Sequence, residues 1–397
     1  MRAVPTIDPF AFARMPEIHF GAGMLSRLPS LIRQRGQRIL LVTGSSSFRK
    51  SAHCEQLLKA LGEAGITVFQ VAVSGEPSPA FVDETVARYR AENPDWVVSI
   101  GGGSAIDAGK AISAMLPSGD SVVEYLECKD TKKHDGRKTP FIAIPTSSGT
   151  GAEATKNAVL SDIGRAGYKS SLRHDQFVPD IALVDPELVL SCPPDVTAAC
   201  GLDALTQLLE SYVSIKASSM TDALALSGLE HVAAGFLSSV EDGANDIEAR
   251  GHMAYAALLS GVTLANAGLG VVHGYAGPLG GFHPVPHGVV CGTLIGEATR
   301  VTIEALFKEP EKNQLALRKY AKAGAVLARK HPVSLQHDCD LLVSTLTEWI
   351  ERTRIPRLGQ YGIGEADFAA ILDKTNGKNS PATLSREQMA AILKARQ

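Results

Sequence analysis

The sequence has little of what marks several large protein classes. Cysteine occurs only 6 times in 397 residues, scattered and without a C-x-x-C pair, which excludes a disulfide scaffold and predicts a reduced, cytoplasmic setting. Basic and acidic residues nearly balance, 39 against 42, which argues against nucleic acid as a partner. No apolar run reaches the roughly 18 residues of a membrane span, so no membrane partner is predicted. Pro9, Arg14 and Pro16 interrupt the N-terminal segment, so no signal peptide is predicted either.

What is present is a large apolar fraction. Hydrophobic residues make up 45% of the chain, and the net charge is only −3. A disordered chain needs the opposite combination of low hydrophobicity and high net charge. At roughly 100–200 residues per domain, the length suggests two or three globular domains.

The two halves of the chain differ in their hydrophobic pattern. Short β-branched runs alternate with helical stretches in the first half, with predicted strands at 38–44, 66–73, 96–100, 141–144 and 181–184 and helices at 51–65, 81–92 and 105–116. Such alternation predicts a parallel sheet with crossover helices. From about Thr197 onward, Ala and Leu recur at helical spacing. With a proline-rich boundary at 184–196, the pattern predicts an α/β domain over 1–190 and an all-α domain over 191–397. The motifs within them predict dinucleotide binding for the first domain and metal binding for the second.

The segment WVVSIGGGSAIDAGKAI (96–112) is the strongest local signal. A buried strand runs into Gly101, Gly102 and Gly103 and then opens a helix. The spacing of Ser104 and Asp107 resembles a capping box at the helix start. Glycines let a ligand approach the backbone, and the free N–H groups of a helix N-terminus attract anions. The segment predicts a pyrophosphate site, although a tight turn without a ligand would have the same residues.

A second loop of this kind follows the next strand. In FIAIPTSSGTGAEAT (141–155), a strand again leads into a Gly/Ser/Thr loop, and Thr150 and Glu153 repeat the capping-box spacing. Parallel sheets bind ligands in the crevice at the carboxyl ends of their strands. Two polar glycine loops at that edge favour a dinucleotide or phosphate ligand.

The first central strand ends in VTGSSSF (42–48). In dinucleotide folds an acidic residue at such a strand end binds the ribose 2′-hydroxyl and repels a 2′-phosphate. Here Gly44 is followed by Ser45 and Ser46, and then by Arg49 and Lys50. This favours NADP over NAD, although an ordinary polar turn is the alternative.

The helical half carries candidate metal ligands. Asp203 and Gln207 stand one turn apart on one helix face. Three histidines, His273, His283 and His287, follow within a glycine-rich apolar segment. One Asp with two or three His suits a divalent metal site or a catalytic site.

Taken together, these motifs resemble the iron-containing (group III) alcohol dehydrogenase family over essentially the whole chain. The resemblance implies the dehydroquinate synthase-like superfold, shared with glycerol dehydrogenase and maleylacetate reductase. It implies a homodimer, an active site between the two domains, and reversible hydride transfer between a small alcohol or aldehyde substrate and NAD(P). The matching segments are GGGSAIDAGKA (101–111), PTSSGTGAEAT (145–155), PDIALVDPEL (179–188), GLDAL (201–205), VVHG (271–274), PHG (286–288) and IPRLGQYGI (355–363).

The resemblance also assigns roles to residues. It places Fe²⁺ or Zn²⁺ on Asp203, His273 and His287, with Gln207 where the family carries a further histidine. The cofactor is assigned to the glycine loop and its neighbours, namely Gly44, Ser45, Ser46, Gly101, Gly102, Gly103, Ser104, Asp107, Thr146, Ser147, Thr150 and Lys169. Lys110 also matches the family motif, with a solvated helix face as the alternative.

Two departures from the family pattern leave alternatives open. Gln207 is a weaker ligand than imidazole, and Gly277 stands where many family members carry a histidine near the reacting groups. We hypothesise that His283 supplies the missing imidazole as a proton relay and that His273 is the second catalytic histidine. The alternatives are a metal-independent reductase similar to maleylacetate reductase, a lyase similar to dehydroquinate synthase, and a non-catalytic dinucleotide sensor.

Overall fold

The first half of the chain forms a six-stranded parallel sheet. A computed structural model describes residues 8–129, 131–162, 167–243 and 246–397, so residues 1–7 of the predicted first domain lie outside it. The sheet order is β1-β8-β5-β4-β2-β3, and β6 and β7 form a separate antiparallel pair. The strands are β1 (Glu17–Phe20), β2 (Arg38–Gly44), β3 (Thr67–Val73), β4 (Trp96–Gly101), β5 (Phe141–Pro145), β6 (Asn157–Asp162), β7 (Tyr168–Arg173) and β8 (Ile181–Val184).

Helices cover both faces of this sheet. They are α1 (Leu28–Ile32), α2 (Ala52–Glu63), α3 (Pro79–Tyr89) and α4 (Gly103–Met115). Successive side chains of β2 point to opposite faces, so Leu40 and Val42 join the core under α3 and α4. Ile39 and Leu41 join the core under α1 and α2. A central strand buried on both faces has the continuous apolar run that predicts a parallel sheet.

The strand order reverses at β2. From β2 the chain crosses to β3 on one side and then returns to β4 on the other side. A crevice therefore opens between the carboxyl ends of β2 and β4, which is where open parallel sheets bind their ligands. The polar loop after Gly44 and the glycine loop after Gly101 meet at this point.

The second half is entirely helical among the residues that the structure describes. Its helices are α5 (Pro194–Val213), α6 (Ser219–Glu241), α7 (Ile247–Ala267), α8 (Val271–Phe282), α9 (His287–Leu306), α10 (Gln314–Leu327), α11 (Leu335–Arg352), α12 (Glu365–Lys374) and α13 (Arg386–Ala395). The central helix α5 packs against α6, α7 and α9, and most of its residues are buried. The predicted fold class, a parallel α/β domain followed by an all-α domain, is confirmed.

One helix is more apolar than the sequence pattern suggests. Helix α6 is long and apolar enough to cross a membrane. Helices α7 and α8 would meet the same criterion only if they were counted as one span, and that span would be bent by 100°. The core helix of a water-soluble protein passes the same test. Leu229, Val232 and Phe236 of α6 lie in the core of the helical half, against α5 and α7.

Both predicted capping boxes are wrong. Helix α4 begins at Gly103 with Gly102 as its N-cap, so Ser104 lies inside the first turn, and no described side chain caps the helix. The second loop leads only into a short 3-10 turn, Ala152–Ala154. Gly151 precedes that turn with a φ of 61°, and its Cα lies so close to α7 that a Cβ would come within 2.4 Å of the Gly261 nitrogen. The backbone contact with α7, rather than a side-chain cap, sets the path of this loop.

Candidate active site

A cleft of about 820 Å³ lies at the carboxyl edge of the sheet. Ligand pockets in proteins measure roughly 300–1,000 Å³, so a dinucleotide with a small substrate is a suitable occupant. Residues of the sheet loops form one wall. The other wall includes Cys200 of α5, Gly280 of α8, and His283, which follows the end of α8. The cleft therefore joins the two halves of the chain.

Most of the predicted cofactor residues line this cleft. They are Gly44, Ser45, Gly102, Gly103, Ser104, Thr146, Ser147 and Lys169. Because no described side chain caps α4, the first N–H groups of that helix remain available at the cleft. A 13-residue helix with a free N-terminus is a suitable site for a pyrophosphate.

Four predicted cofactor residues do not line the cleft. Ser46 lies in the exposed turn after β2, where its carbonyl accepts the Lys50 N–H. Gly101 is buried in the sheet, paired with Pro145.

The other two lie behind the cleft. Burial raises the pKa of Asp107 to about 6, although the charge of nearby Lys110 opposes that rise. Thr150 packs beneath Gly103, where a Cβ would meet its Oγ1 at 2.9 Å. That contact explains the glycine: position 103 has room for no side chain between α4 and the second loop. Thr150 therefore supports the glycine loop from behind.

Lys110 is buried rather than solvated. Its ammonium donates to the Ala152 carbonyl at 2.8 Å, to Thr155 Oγ1 at 3.0 Å and to the Asn157 carbonyl at 2.8 Å. Burial lowers the pKa of this lysine to about 8. Three acceptors around one ammonium join α4 to the segment before β6, which is a structural role.

Four side chains from the helical half converge beside the cleft. Asp203 of α5, His273 of α8, and His287 and Cys291 of α9 each offer a ligand atom, and these atoms lie within 4.8 Å of one another. Asp203 Oδ1 lies 3.3 Å from His273 Nε2 and 3.6 Å from His287 Nε2. Two predicted histidines and the predicted aspartate are thus brought together from three helices.

Glu210 orients one of these histidines. The Glu210 carboxylate accepts from His273 Nδ1 at 2.7 Å and from the Val272 backbone N–H at 2.7 Å. With Nδ1 as the donor, His273 Nε2 faces Asp203. Metal-binding histidines are held in this way by a carboxylate behind the ring. Sequence reasoning missed Glu210, although it lies two helical turns after Asp203 on the same helix.

One oxygen of the buried Asp203 carboxylate has no hydrogen-bond partner among the described residues. Within the described residues no donor satisfies its Oδ1 atom, although that atom is fully buried. Leaving such an oxygen unpaired is costly, so a cation fits the position. A carboxylate oxygen, two imidazole nitrogens and a thiol sulfur are all donors that divalent metals accept. The residues present therefore fit a metal.

The pKa values of these groups agree with a cation site. Burial by itself raises the pKa of Asp203, but His287 and His273 bring it down to about 2. Burial lowers the pKa of His287 to about 4, which leaves its ring neutral at pH 7. Burial also lowers the pKa of His273, but the thiol and the carboxylates around the ring raise it well above its ordinary value. A bound metal would have to displace that proton.

Gln207 and Cys291 differ from the expected ligand pattern. The Gln207 amide oxygen lies 3.4 Å from Ser260 Oγ of α7, but the single proton of that hydroxyl goes to the Ala257 carbonyl at 2.8 Å, so this contact does not occupy the predicted ligand. Cys291, which we did not predict, contacts both histidines instead. Its position four residues after His287 on one helix face was the signal in the sequence.

His283 lies in the cleft, as a proton relay requires. It follows the last residue of α8, and its Nε2 lies 3.9 Å from Asp367 Oδ1. A Cβ at Gly277 would meet no described atom within 4 Å, so this position leaves open space. The proposed role of His283 stays a prediction.

The two basic side chains of β7 are paired with carboxylates. Lys169 Nζ lies 3.0 Å from Glu76 Oε2, and both side chains line the cleft. Arg173 Nε lies 3.1 Å from Glu127 Oε1, and neither of these two residues lines the cleft. The positive charge of each is therefore offset by a carboxylate.

The fold and the cleft define a dinucleotide-type oxidoreductase. Residues 16–186 match the family described as iron-containing alcohol dehydrogenase, and residues 197–397 match the C-terminal part of the Fe-containing alcohol dehydrogenase family. The chain therefore belongs to the iron-containing alcohol dehydrogenase family, and the resemblance drawn from its motifs is confirmed.

Individual relatives cover nearly the whole chain. The sequence is 31% identical over 392 residues to an NADPH-dependent butanol dehydrogenase of Clostridium saccharobutylicum, covering 95% of each protein. It is 36% identical over 387 residues to long-chain-alcohol dehydrogenase 1 of Geobacillus thermodenitrificans, covering 96% of this chain and 95% of that one. The solved structure of a 1,3-propanediol oxidoreductase, 29% identical, superposes with a TM-score of 0.87 over 98% of this chain and 100% of the other.

Proposed function

We propose that this protein is an NAD(P)-dependent alcohol dehydrogenase that works as an aldehyde or ketone reductase on a small substrate. The observation that carries the proposal is the cleft itself. It places the free N-terminus of α4 and the glycine loop opposite His283, and the group of metal-ligand side chains lies beside it. A dinucleotide seated on the loop would direct its nicotinamide toward the helical half, where the protein excludes water and positions the substrate.

The cofactor is NADP in this proposal. Gly44 lies in the cleft at the end of β2, and it places no carboxylate where a 2′-phosphate would bind. Arg49 and Lys50 lie exposed in the following turn and offer positive charge. The butanol dehydrogenase relative is named for its NADPH dependence, which agrees with this choice.

A divalent metal would be held by Asp203, His273 and His287. When bound, the metal supplies a Lewis acid for the oxygen of the alcohol or carbonyl. Glu210 holds the His273 ring in place through Nδ1. The burial of Asp203 and His273 excludes water from the inner side of the site, while His287 is partly exposed.

His283 carries the proton in this proposal. Its imidazole lies in the cleft, within reach of a substrate bound there. Histidine is suited to the role because its ordinary pKa lies near neutral pH. His283→Asn should lower kcat and change its dependence on pH, and an unchanged pH profile of kcat would remove His283 from the mechanism.

A metal-independent reductase of acidic oxo compounds is the second candidate. The observation in its favour is Gln207, which replaces a family histidine. Against it, a substrate carboxylate needs a cation, and the positive charge of Lys169 is already offset by Glu76 in the cleft.

We also propose a cytoplasmic homodimer. All 6 cysteines are free thiols, as a reducing compartment requires. Strand β1 forms an edge of the sheet, and apolar side chains beside it are exposed, namely Phe10, Met15, Ile18 and Phe20. Exposed apolar groups along an unpaired edge support pairing with a second copy. Light scattering that gives the mass of one chain would contradict the dimer.

The function is tested by turnover with and without metal. The purified protein is stripped with a chelator, and NADPH oxidation is followed over a panel of small aldehydes, with and without added Fe²⁺ or Zn²⁺. Activity that returns only with metal supports the dehydrogenase with a site on Asp203, His273 and His287. Activity that is the same with and without added metal supports the metal-independent reductase. The absence of turnover with every aldehyde would contradict both candidate functions.

A further inference from the structure

We infer that the thiolate of Cys291 is a metal ligand in this protein and that the site prefers Zn²⁺ to Fe²⁺. The sulfur completes a set of four donors with Asp203, His273 and His287. This deepens the metal assignment made above and rests on it. Position 207, which the family pattern would use, carries a neutral amide in this chain.

The distances between the donor atoms carry the argument. Tetrahedral zinc lies about 2.3 Å from sulfur and about 2.0–2.1 Å from nitrogen and oxygen, which places sulfur and nitrogen about 3.6 Å apart and oxygen and nitrogen about 3.4 Å apart. Cys291 Sγ lies 3.6 Å from His273 Nε2 and 3.7 Å from His287 Nε2. The Asp203 oxygen lies 3.3 and 3.6 Å from the same two nitrogens. These four distances are close to the edges of one ligand tetrahedron.

The surroundings of Cys291 give the sulfur no better partner. The side chain is fully buried on α9, one helical turn after His287. Its contacts with the two imidazole nitrogens are long, and a thiol is a weak hydrogen-bond donor. A buried sulfur that faces two ring nitrogens and an unpaired carboxylate oxygen is placed as a ligand rather than as a core side chain.

Gln207 is the weaker candidate for the fourth donor. Its side chain is buried on α5, and its amide oxygen lies 3.4 Å from Ser260 Oγ, which donates its proton to the Ala257 carbonyl instead. An amide oxygen is also neutral, whereas a carboxylate and a thiolate together balance the charge of a divalent ion. The replacement of a family histidine by Gln207 is therefore offset by a donor on another helix.

The donor set determines the preferred metal. Thiolate is a soft ligand that favours Zn²⁺, and sites of mixed nitrogen, oxygen and sulfur donors bind Zn²⁺ more tightly than Fe²⁺ in the general order of divalent affinities. A family site of nitrogen and oxygen donors follows the same order, and the soft thiolate increases the preference for Zn²⁺ beyond it. The chain should therefore take up Zn²⁺ in competition with Fe²⁺ at equal concentration.

Co²⁺ is the probe for the sulfur ligand. The chelator-stripped full-length protein is loaded anaerobically with one equivalent of Co²⁺. Thiolate coordination should produce a near-ultraviolet sulfur-to-cobalt charge-transfer band together with intense visible bands of tetrahedral cobalt. Cys291→Ser should lose the charge-transfer band and keep visible bands. Two control variants, Gln207→Ala and Cys339→Ser, should keep the charge-transfer band. Gln207 has no sulfur, and Cys339 is an equally buried cysteine on α11 that contacts the Leu317 carbonyl.

Affinity gives a second measure. Loss of a group behind a ligand typically lowers metal affinity 10–100-fold, so loss of the sulfur itself should lower Zn²⁺ affinity more than about 100-fold. Competition with a chromophoric chelator measures this for Cys291→Ser and for Gln207→Ala, which should change little. A larger loss in Gln207→Ala than in Cys291→Ser would overturn the assignment.

One measurement needs no variant. X-ray absorption at the zinc edge of the loaded wild-type protein should show one sulfur at about 2.3 Å. A zinc shell of only nitrogen and oxygen, or a wild-type cobalt spectrum without the charge-transfer band, overturns the inference. Aldehyde turnover with NADPH is measured on the same samples. Turnover without a sulfur ligand would remove Cys291 from the site and leave the proposed dehydrogenase function in place.

Discussion

A carboxylate placed at the end of β2 tests the cofactor assignment. Gly44 lines the cleft there, and a Cβ at this position would meet no described atom within 4 Å. The substitution Gly44→Asp therefore adds a negative charge without a steric clash. In dinucleotide folds a carboxylate at this place accepts from the ribose 2′-hydroxyl of NAD and repels the 2′-phosphate of NADP. We expect Gly44→Asp to shift the preference from NADPH toward NADH.

The size of the shift follows from the charges. Two unit charges about 6 Å apart repel by about 3 kcal/mol at an effective dielectric constant of about 20. That energy corresponds to a loss of about 100-fold in kcat/KM for NADPH. The 2′-phosphate carries more than one negative charge, which increases the loss, while NADH carries none at this position.

The assay compares kcat/KM for NADPH and for NADH at one saturating aldehyde concentration. Gly44→Asn is the matched control, because it adds nearly the same volume without the charge. If Gly44→Asn lowers the efficiency with NADPH as much as Gly44→Asp does, shape rather than charge governs the site. If Gly44→Asp leaves the ratio of the two efficiencies unchanged, the end of β2 does not hold the 2′-phosphate.

Three further changes test the structure elsewhere. Glu210→Gln should lower Zn²⁺ affinity about 10–100-fold, because it weakens the acceptor behind His273; equal affinities in a chelator competition would contradict this. Gly151→Ala should destabilise the fold by at least about 2 kcal/mol, because φ is 61° and a Cβ would clash with α7. The exposed helical control Gly62→Ala should instead stabilise the fold by about 0.5–1 kcal/mol. Urea unfolding of both variants measures the two changes in the free energy of unfolding. Burial raises the pKa of Glu153 from 4.5 to about 7. The folded state thus binds this proton more tightly than the unfolded chain, so stability should fall as pH rises from 4.5 to 7. Glu153→Gln should flatten that fall in Tm, and an identical pH profile for both proteins would refute the argument.

Much of the fold can be predicted from the sequence because its signals are local. The strand that ends at Gly44 and the strand that ends at Gly101 are apolar runs closed by glycine, and both lie within one or two residues of their predicted bounds. Helical spacing after Thr197 predicts an all-α second half in the same way. The motifs that carry the family resemblance are also short segments in a fixed order. Each of these features depends on residues a few positions apart.

The capping of two loops could not be predicted in this way. The spacing of Ser104 and Asp107 fits a capping box, yet α4 starts one residue earlier. Close contacts decide both loops: Thr150 lies against Gly103, and α7 lies against Gly151. Local propensity does not decide the structure at these positions, because close contacts between distant elements leave no room for the predicted side-chain cap.

The class of fold, the glycine loops, and the aspartate and two of the histidines that approach one another follow from the residues and their spacing alone. The partners that complete the site follow from how the helices pack. Cys291 meets His273 because α8 and α9 pack side by side, and Glu210 meets the same ring because α5 passes the start of α8, where Glu210 also accepts the Val272 N–H. Lys110, for which the sequence left a solvated helix face as one alternative, is buried because three acceptors from a distant segment surround its ammonium. Such contacts join residues tens of positions apart, and the packing of helices sets them rather than any local pattern.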